Sequence, residues 1–96
     1  MKAPSFKRVS SFESSSFEDD LVVMHTGTRQ TVLLNPVAAV LWESLQWPHS
    51  RSELVRLLGE AFPDEDEEDL MGHVNAFLQT LASCELVEKV EPAAQG

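Results

Sequence analysis

Apolar residues along this chain follow two different periods, and the change between them falls at Asn35-Pro36. Before that point they come in short runs. Asp20-Leu21-Val22-Val23-Met24-His25 and Gln30-Thr31-Val32-Leu33-Leu34 are brief and aliphatic, which predicts two strands. Thr26-Gly27-Thr28 between them reads as a hairpin turn, with Gly27 free to supply a positive φ. A first strand is expected over Phe6 to Phe12, although Phe6, Val9 and Phe12 do not alternate cleanly. Glu13-Ser14-Ser15-Ser16 then reads as a polar connection. Three such strands make a small antiparallel sheet, which needs a cover on one face.

Helical spacing takes over after Leu34. Asn35 offers a side-chain oxygen to cap free N–H groups, and Pro36 suits the first helical position, where no N–H is needed. A helix is predicted from Pro36 to about Gln46, with Val37, Val40, Leu41 and Leu45 on one face. Trp47-Pro48-His49 breaks it. Ser50-Arg51-Ser52-Glu53 is a capping box, and it opens a second helix that carries Leu54, Leu57, Leu58 and Ala61. Pro63 ends that helix. A third is predicted from about Glu65 to Ser83, with Leu70, Val74, Phe77, Leu78 and Leu81 facing inward. Leu86-Val87 and Val90 form either a short final strand or an extended tail. The order βββααα belongs to the α+β class. One domain is expected over residues 6–90, with loose tails over 1–5 and 91–96.

Composition narrows the partners. The chain has 96 residues, 43% of them hydrophobic, which suits one small soluble domain with a modest core. Its net charge is −9. Residues 1–30 balance Lys2, Lys7, Arg8 and Arg29 against Glu13, Glu18, Asp19 and Asp20. The rest sets three basic residues (Arg51, Arg56, Lys89) against twelve acidic ones. A surface of that sign repels phosphate backbones, so no nucleic-acid partner is expected. No run nears the roughly 20 apolar residues of a membrane span, so no membrane partner is expected either. A single cysteine, Cys84, and a start without the apolar block of a signal peptide fit a reducing, cytoplasmic setting.

Candidate chemistry is sparse. Asp64-Glu65-Asp66-Glu67-Glu68-Asp69 suggests a cation site, but it lacks the alternate spacing and the central glycine of a calcium loop. It reads instead as negative charge at the positive end of the third helix. His25, His49 and His73 are scattered, and Cys84 stands alone, so no zinc site and no nucleophile pair is expected. Gly27, Gly59, Gly72 and Gly96 are isolated, so no phosphate-cradling loop exists. No catalytic group, cofactor or metal is expected. Trp42 reads as a packing residue, and Trp47 as either a lid over the core or an exposed anchor for a partner.

Within that frame, Leu33-Leu34-Asn35-Pro36 leading to Leu41-Trp42 resembles the PqqD-like family, the peptide-recognition elements of pathways that modify ribosomally made peptides. Leu57-Leu58 with Phe62, then Phe77-Leu78-Gln79-Thr80-Leu81, then Leu86-Val87 continue the resemblance in order over roughly residues 6–90. Two departures stand out. Trp47-Pro48-His49 replaces the usual small residue between the first two helices. Glu85 stands where the family often has a glycine, so the third helix is expected to end differently or run on.

The resemblance implies a fold similar to winged helix-turn-helix domains and a role without chemistry. The leader region of a precursor peptide would add as a strand to the edge formed by Arg29, Gln30, Thr31, Val32, Leu33 and Leu34. Met71, Val74, Asn75 and Leu78 would wall the groove from the third helix, with the flexible thioether of Met71 best suited to a peptide. The implied partners are that leader peptide and a separate modifying enzyme, such as a radical S-adenosylmethionine enzyme, a protease or a cyclase. Two other readings remain. An uncovered edge also suits an adaptor or a homodimer. A winged-helix DNA regulator would need basic residues that the third helix lacks.

Overall fold

Alternating side chains and a tight turn build the first sheet. In the computed structural model, which describes residues 4–90, β2 (Phe12–Phe17), β3 (Asp20–His25) and β4 (Thr31–Leu34) form an antiparallel meander in that order. Val23 and Leu34 are buried on its inner face. The turn into β3 is only Glu18-Asp19, with Glu18 in the left-handed region at φ 59°.

The next turn depends on His25. Its Nδ1 accepts the N–H groups of Gly27 at 2.9 Å and Thr28 at 3.2 Å. The positive φ of this turn belongs to Arg29, at 69°, and not to Gly27. Gly27 leaves room for the ring: a Cβ there would lie 3.0 Å from Cε1 of His25, close enough to press on it.

Three helices cover the inner face. α1 (Pro36–Ser44) opens as expected, with Asn35 Oδ1 accepting the Ala38 N–H at 2.8 Å. α2 (Arg51–Ala61) carries the complete capping box: the Ser50 N–H donates to Glu53 at 2.8 Å, and the Glu53 N–H donates to the Ser50 hydroxyl at 3.2 Å. α3 (Glu67–Ser83) has Glu67, Glu68 and Asp69 in its first turn, the favourable end of the helix dipole for negative charge. The core comprises Leu41, Trp42, Leu45, Leu54, Leu58, Val74, Leu81 and their neighbours, and no polar residue is buried among the described residues.

α3 ends in a Schellman motif. The Leu86 N–H reaches the Leu81 carbonyl at 2.9 Å, and the Glu85 N–H reaches that of Ala82 at 3.1 Å. Glu85 therefore takes the left-handed position itself, at φ 57°, and the helix ends as a glycine would end it.

The N-terminal segment departs most from expectation. β1 (Ser5–Arg8) does not join the meander. It lies between β5 (His49–Ser50) and β6 (Val87–Val90) in a second sheet, in the order β5-β1-β6. The meander's first strand is instead the segment expected to be a connection, Glu13 to Ser16 with its flanking phenylalanines. Exposure explains its polarity, because β2 is an edge strand with almost no buried residue. Arg8 joins the two layers: its guanidinium stacks 4.9 Å from the Phe12 ring and 5.2 Å from Trp42, and donates to the Trp42 carbonyl at 3.3 Å. Ser5 already belongs to β1, whereas residues 1–3 and 91–96, where most of the expected tails fall, lie outside the described residues.

Candidate functional site

An antiparallel ladder alternates bonded and non-bonded pairs, so one bond sets the phase of a whole strand. The His25 N–H donates to the Gln30 carbonyl at 2.9 Å, and the Thr26 N–H to the Ser11 carbonyl at 3.0 Å. Combined with the register, both bonds require Val23–Val32 and Leu21–Leu34 to be the bonded pairs of β3 and β4. Thr31 and Leu33 therefore direct their N–H and C=O groups away from β3. No strand of the described residues pairs with that side of β4.

Beside this open edge lies a groove of about 190 Å³. One wall is the edge itself, Val32, Leu33 and Leu34. The floor is the start of α1, with Asn35, Val37 and Ala38. The far wall is one flank of α3: His73, Ala76, Phe77 and Thr80. A smaller hollow of about 60 Å³ shares Val37 and His73 with the groove and continues to Phe62, Leu70 and Glu65. The lining holds no lysine or arginine and is largely aliphatic and aromatic. Such a site can seat apolar side chains and pair with a backbone.

Of the six edge residues expected from sequence, Thr31, Val32, Leu33 and Leu34 lie on the open strand. Arg29 and Gln30 form the turn that leads into it. The helix residues are elsewhere. Val74 is fully buried in the core. Asn75 and Leu78 line a depression on another side, with Phe6, Arg51 and Val87. Met71 is 46% exposed and borders none of these hollows. At roughly 100° per residue, His73, Ala76 and Thr80 flank the core stripe on one side, and Met71, Asn75 and Leu78 flank it on the other. Periodicity places both flanks without saying which one faces the sheet. Trp47 is 67% exposed and forms no lid, while Trp42 is buried as a packing residue.

Among the described residues, no three histidines, cysteines or acids gather as metal ligands, and no helix is long and apolar enough to cross a membrane. α3 carries no lysine or arginine.

The model of one protein family, PqqD, the coenzyme PQQ synthesis protein D, matches residues 20–87. The chain belongs to the PqqD family. The matched region runs from β3 to the first residue of β6, so both walls of the groove lie within the PqqD match, and β1 and β2 precede it. Among solved structures, TbiB1 in complex with the TbiA(beta) leader peptide is similar, with a TM-score of 0.72 and 24% identity over 85% of this chain and 94% of that one. That likeness is one of fold. No curated protein matches the chain.

Proposed function

We propose that this PqqD-family protein binds the leader region of a ribosomally made precursor peptide and presents it to a separate modifying enzyme. The observation that carries the reading is the open β4 edge beside an apolar groove walled by α3. The peptide adds as a further strand, bonding to the outward groups of Thr31 and Leu33, and its alternate side chains enter the groove. Each backbone bond contributes about 0.5–1.5 kcal/mol net, and groove contacts supply selectivity. TbiB1, which shares the fold, is in complex with a leader peptide, and this supports a leader peptide as the partner here.

The protein itself performs no chemistry in this reading. It raises the local concentration of its peptide at the enzyme, whether a radical S-adenosylmethionine enzyme, a protease or a cyclase. The test is to titrate the isotope-labelled protein with the leader of the short peptide encoded nearest its gene, following backbone amides by NMR. Shifts centred on Thr31–Leu34 and on His73, Ala76 and Thr80 are expected. Shifts confined to the opposite flank of α3, or none in a folded protein, would refute this use of the groove. The open edge also suits pairing with a second copy. A strict monomer mass in light scattering, held to high protein concentration, excludes that role.

A further inference from the structure

The strand register decides more than where a peptide bonds. Residues directly opposite each other in an antiparallel pair point to the same face of the sheet. Val32 and Leu34 share the inner face with Val23 and Leu21, toward the helices. Leu33 and Thr31 share the outer face with Val22 and Met24, and with Ser15 and Glu13 beyond them. Val22 and Leu33 form a non-bonded pair, the kind in which side chains approach most closely. Leu33 is 58% exposed even so, and the outer face beside it holds a shallow hollow lined by Glu13, Ser14, Ser15, Val22, Met24 and Thr31.

We infer that the outer face of the meander is a second reading surface for the peptide, with Leu33, backed by Val22, as its specificity-determining residue. The inference rests on strand addition at β4. It commits to the same occupant as the groove, because the outer face continues across β4 into any strand added there. Side chains opposite Leu34 and Val32 enter the groove. The side chain between them stands beside Leu33 on the outer face, and the one opposite Thr31 meets a hydroxyl. The recognised segment is therefore three consecutive apolar residues with a tolerant position at one end, after them in an antiparallel peptide and before them in a parallel one. A groove acting alone would read only every second residue.

The test selects a phage-displayed library of random peptides on the wild-type protein and on Leu33→Glu, an exposed position. Val22→Thr is a second variant, and a thermal melt confirms that each is folded. Binding of the selected peptides must be lost on Ala76→Glu, which blocks the groove. Wild type should enrich three adjacent apolar residues. Leu33→Glu should keep the two flanking ones and change the central one to lysine or arginine. For one selected peptide, a central lysine should weaken wild-type binding by about tenfold, through the lost apolar contact, and Leu33→Glu should restore most of it. Groove-dependent peptides whose central residue ignores both variants would overturn this inference alone. Failure to enrich any groove-dependent peptide would overturn the strand-addition reading with it.

Discussion

Replacing Leu33 with proline tests the strand-addition geometry at one atom. The Leu33 N–H faces the open edge and makes no bond to β3, so its loss leaves the β3–β4 ladder intact. Proline is tolerated on an edge strand when the missing donor faces solvent. A bound peptide, however, would lose one hydrogen bond and keep an unsatisfied carbonyl, which together cost about 1–3 kcal/mol. The leucine side chain is lost as well, so Leu33→Ala is the reference. That change removes a side chain 58% exposed in the free protein, whose burial against a peptide contributes about 1 kcal/mol. Relative to Leu33→Ala, Leu33→Pro should weaken peptide binding by roughly 5- to 150-fold. Calorimetric titration of both variants measures that ratio. Thermal melts should show Leu33→Pro close to Leu33→Ala, and Val32→Pro well below both, because the Val32 N–H belongs to the ladder. Equal affinities for Leu33→Pro and Leu33→Ala would refute strand addition at β4. A Val32→Pro protein more stable than Leu33→Pro would refute the assigned register.

The two flanks of α3 separate cleanly by mutation. Ala76→Glu should weaken peptide binding at least about tenfold by placing a charge in an apolar groove, and Met71→Asp, on the other flank, should leave affinity unchanged in the same titration. Glu85→Gly should stabilise the fold by about 0.5–1 kcal/mol by relieving the left-handed residue at φ 57°, raising the melting temperature by roughly 2–8 °C. The capping box predicts a pH effect. The Ser50 N–H bonded to Glu53 holds that carboxyl below its ordinary value of 4.5, an effect opposed by desolvation and aided by His49, the Ser50 hydroxyl and Arg56. The charged form is thus favoured by folding. Its contribution is complete above pH 4.5 and is lost as pH falls below that, through the folded value. Glu53→Gln keeps the capping geometry, so its acid melts should lack this part of the pH dependence, and identical pH profiles would contradict it. Ser50→Ala, which removes one cap acceptor, should cost about 1 kcal/mol by denaturant unfolding.

How much of this was legible in the sequence depended on whether a signal was local. Asn35-Pro36 and Ser50-Arg51-Ser52-Glu53 are self-contained capping patterns, and both helix starts follow them. β2 was hidden because its serines carry no apolar alternation, and its strand character comes only from pairing with β3. β1 lies in the second sheet, and not in the meander expected for it, for a related reason. Its partners, Ser50 and Val90, are far away in sequence, and nothing in Ser5–Arg8 names them. Glu85 shows the limit of reading a residue type as a conformation. Two backbone bonds at the end of α3, with Leu86 buried beyond them, outweigh the strain of a left-handed glutamate.

The site follows the same division. The edge was readable because Gln30 to Leu34 is both a strand and the last one before the helices. The facing helix flank was not, since a core stripe has two borders, and only the path of α3 over the sheet selects one. Residue size held a usable signal. On the border with Met71 and Leu78 the side chains are large, and neither lines the groove. On the other border, Ala76 and Thr80 are small and one turn apart, with Phe77 between them. A groove is space, and space beside a helix is made by small side chains next to a large one. Volume together with polarity therefore marks Ala76, Phe77 and Thr80 as the border that opens a groove.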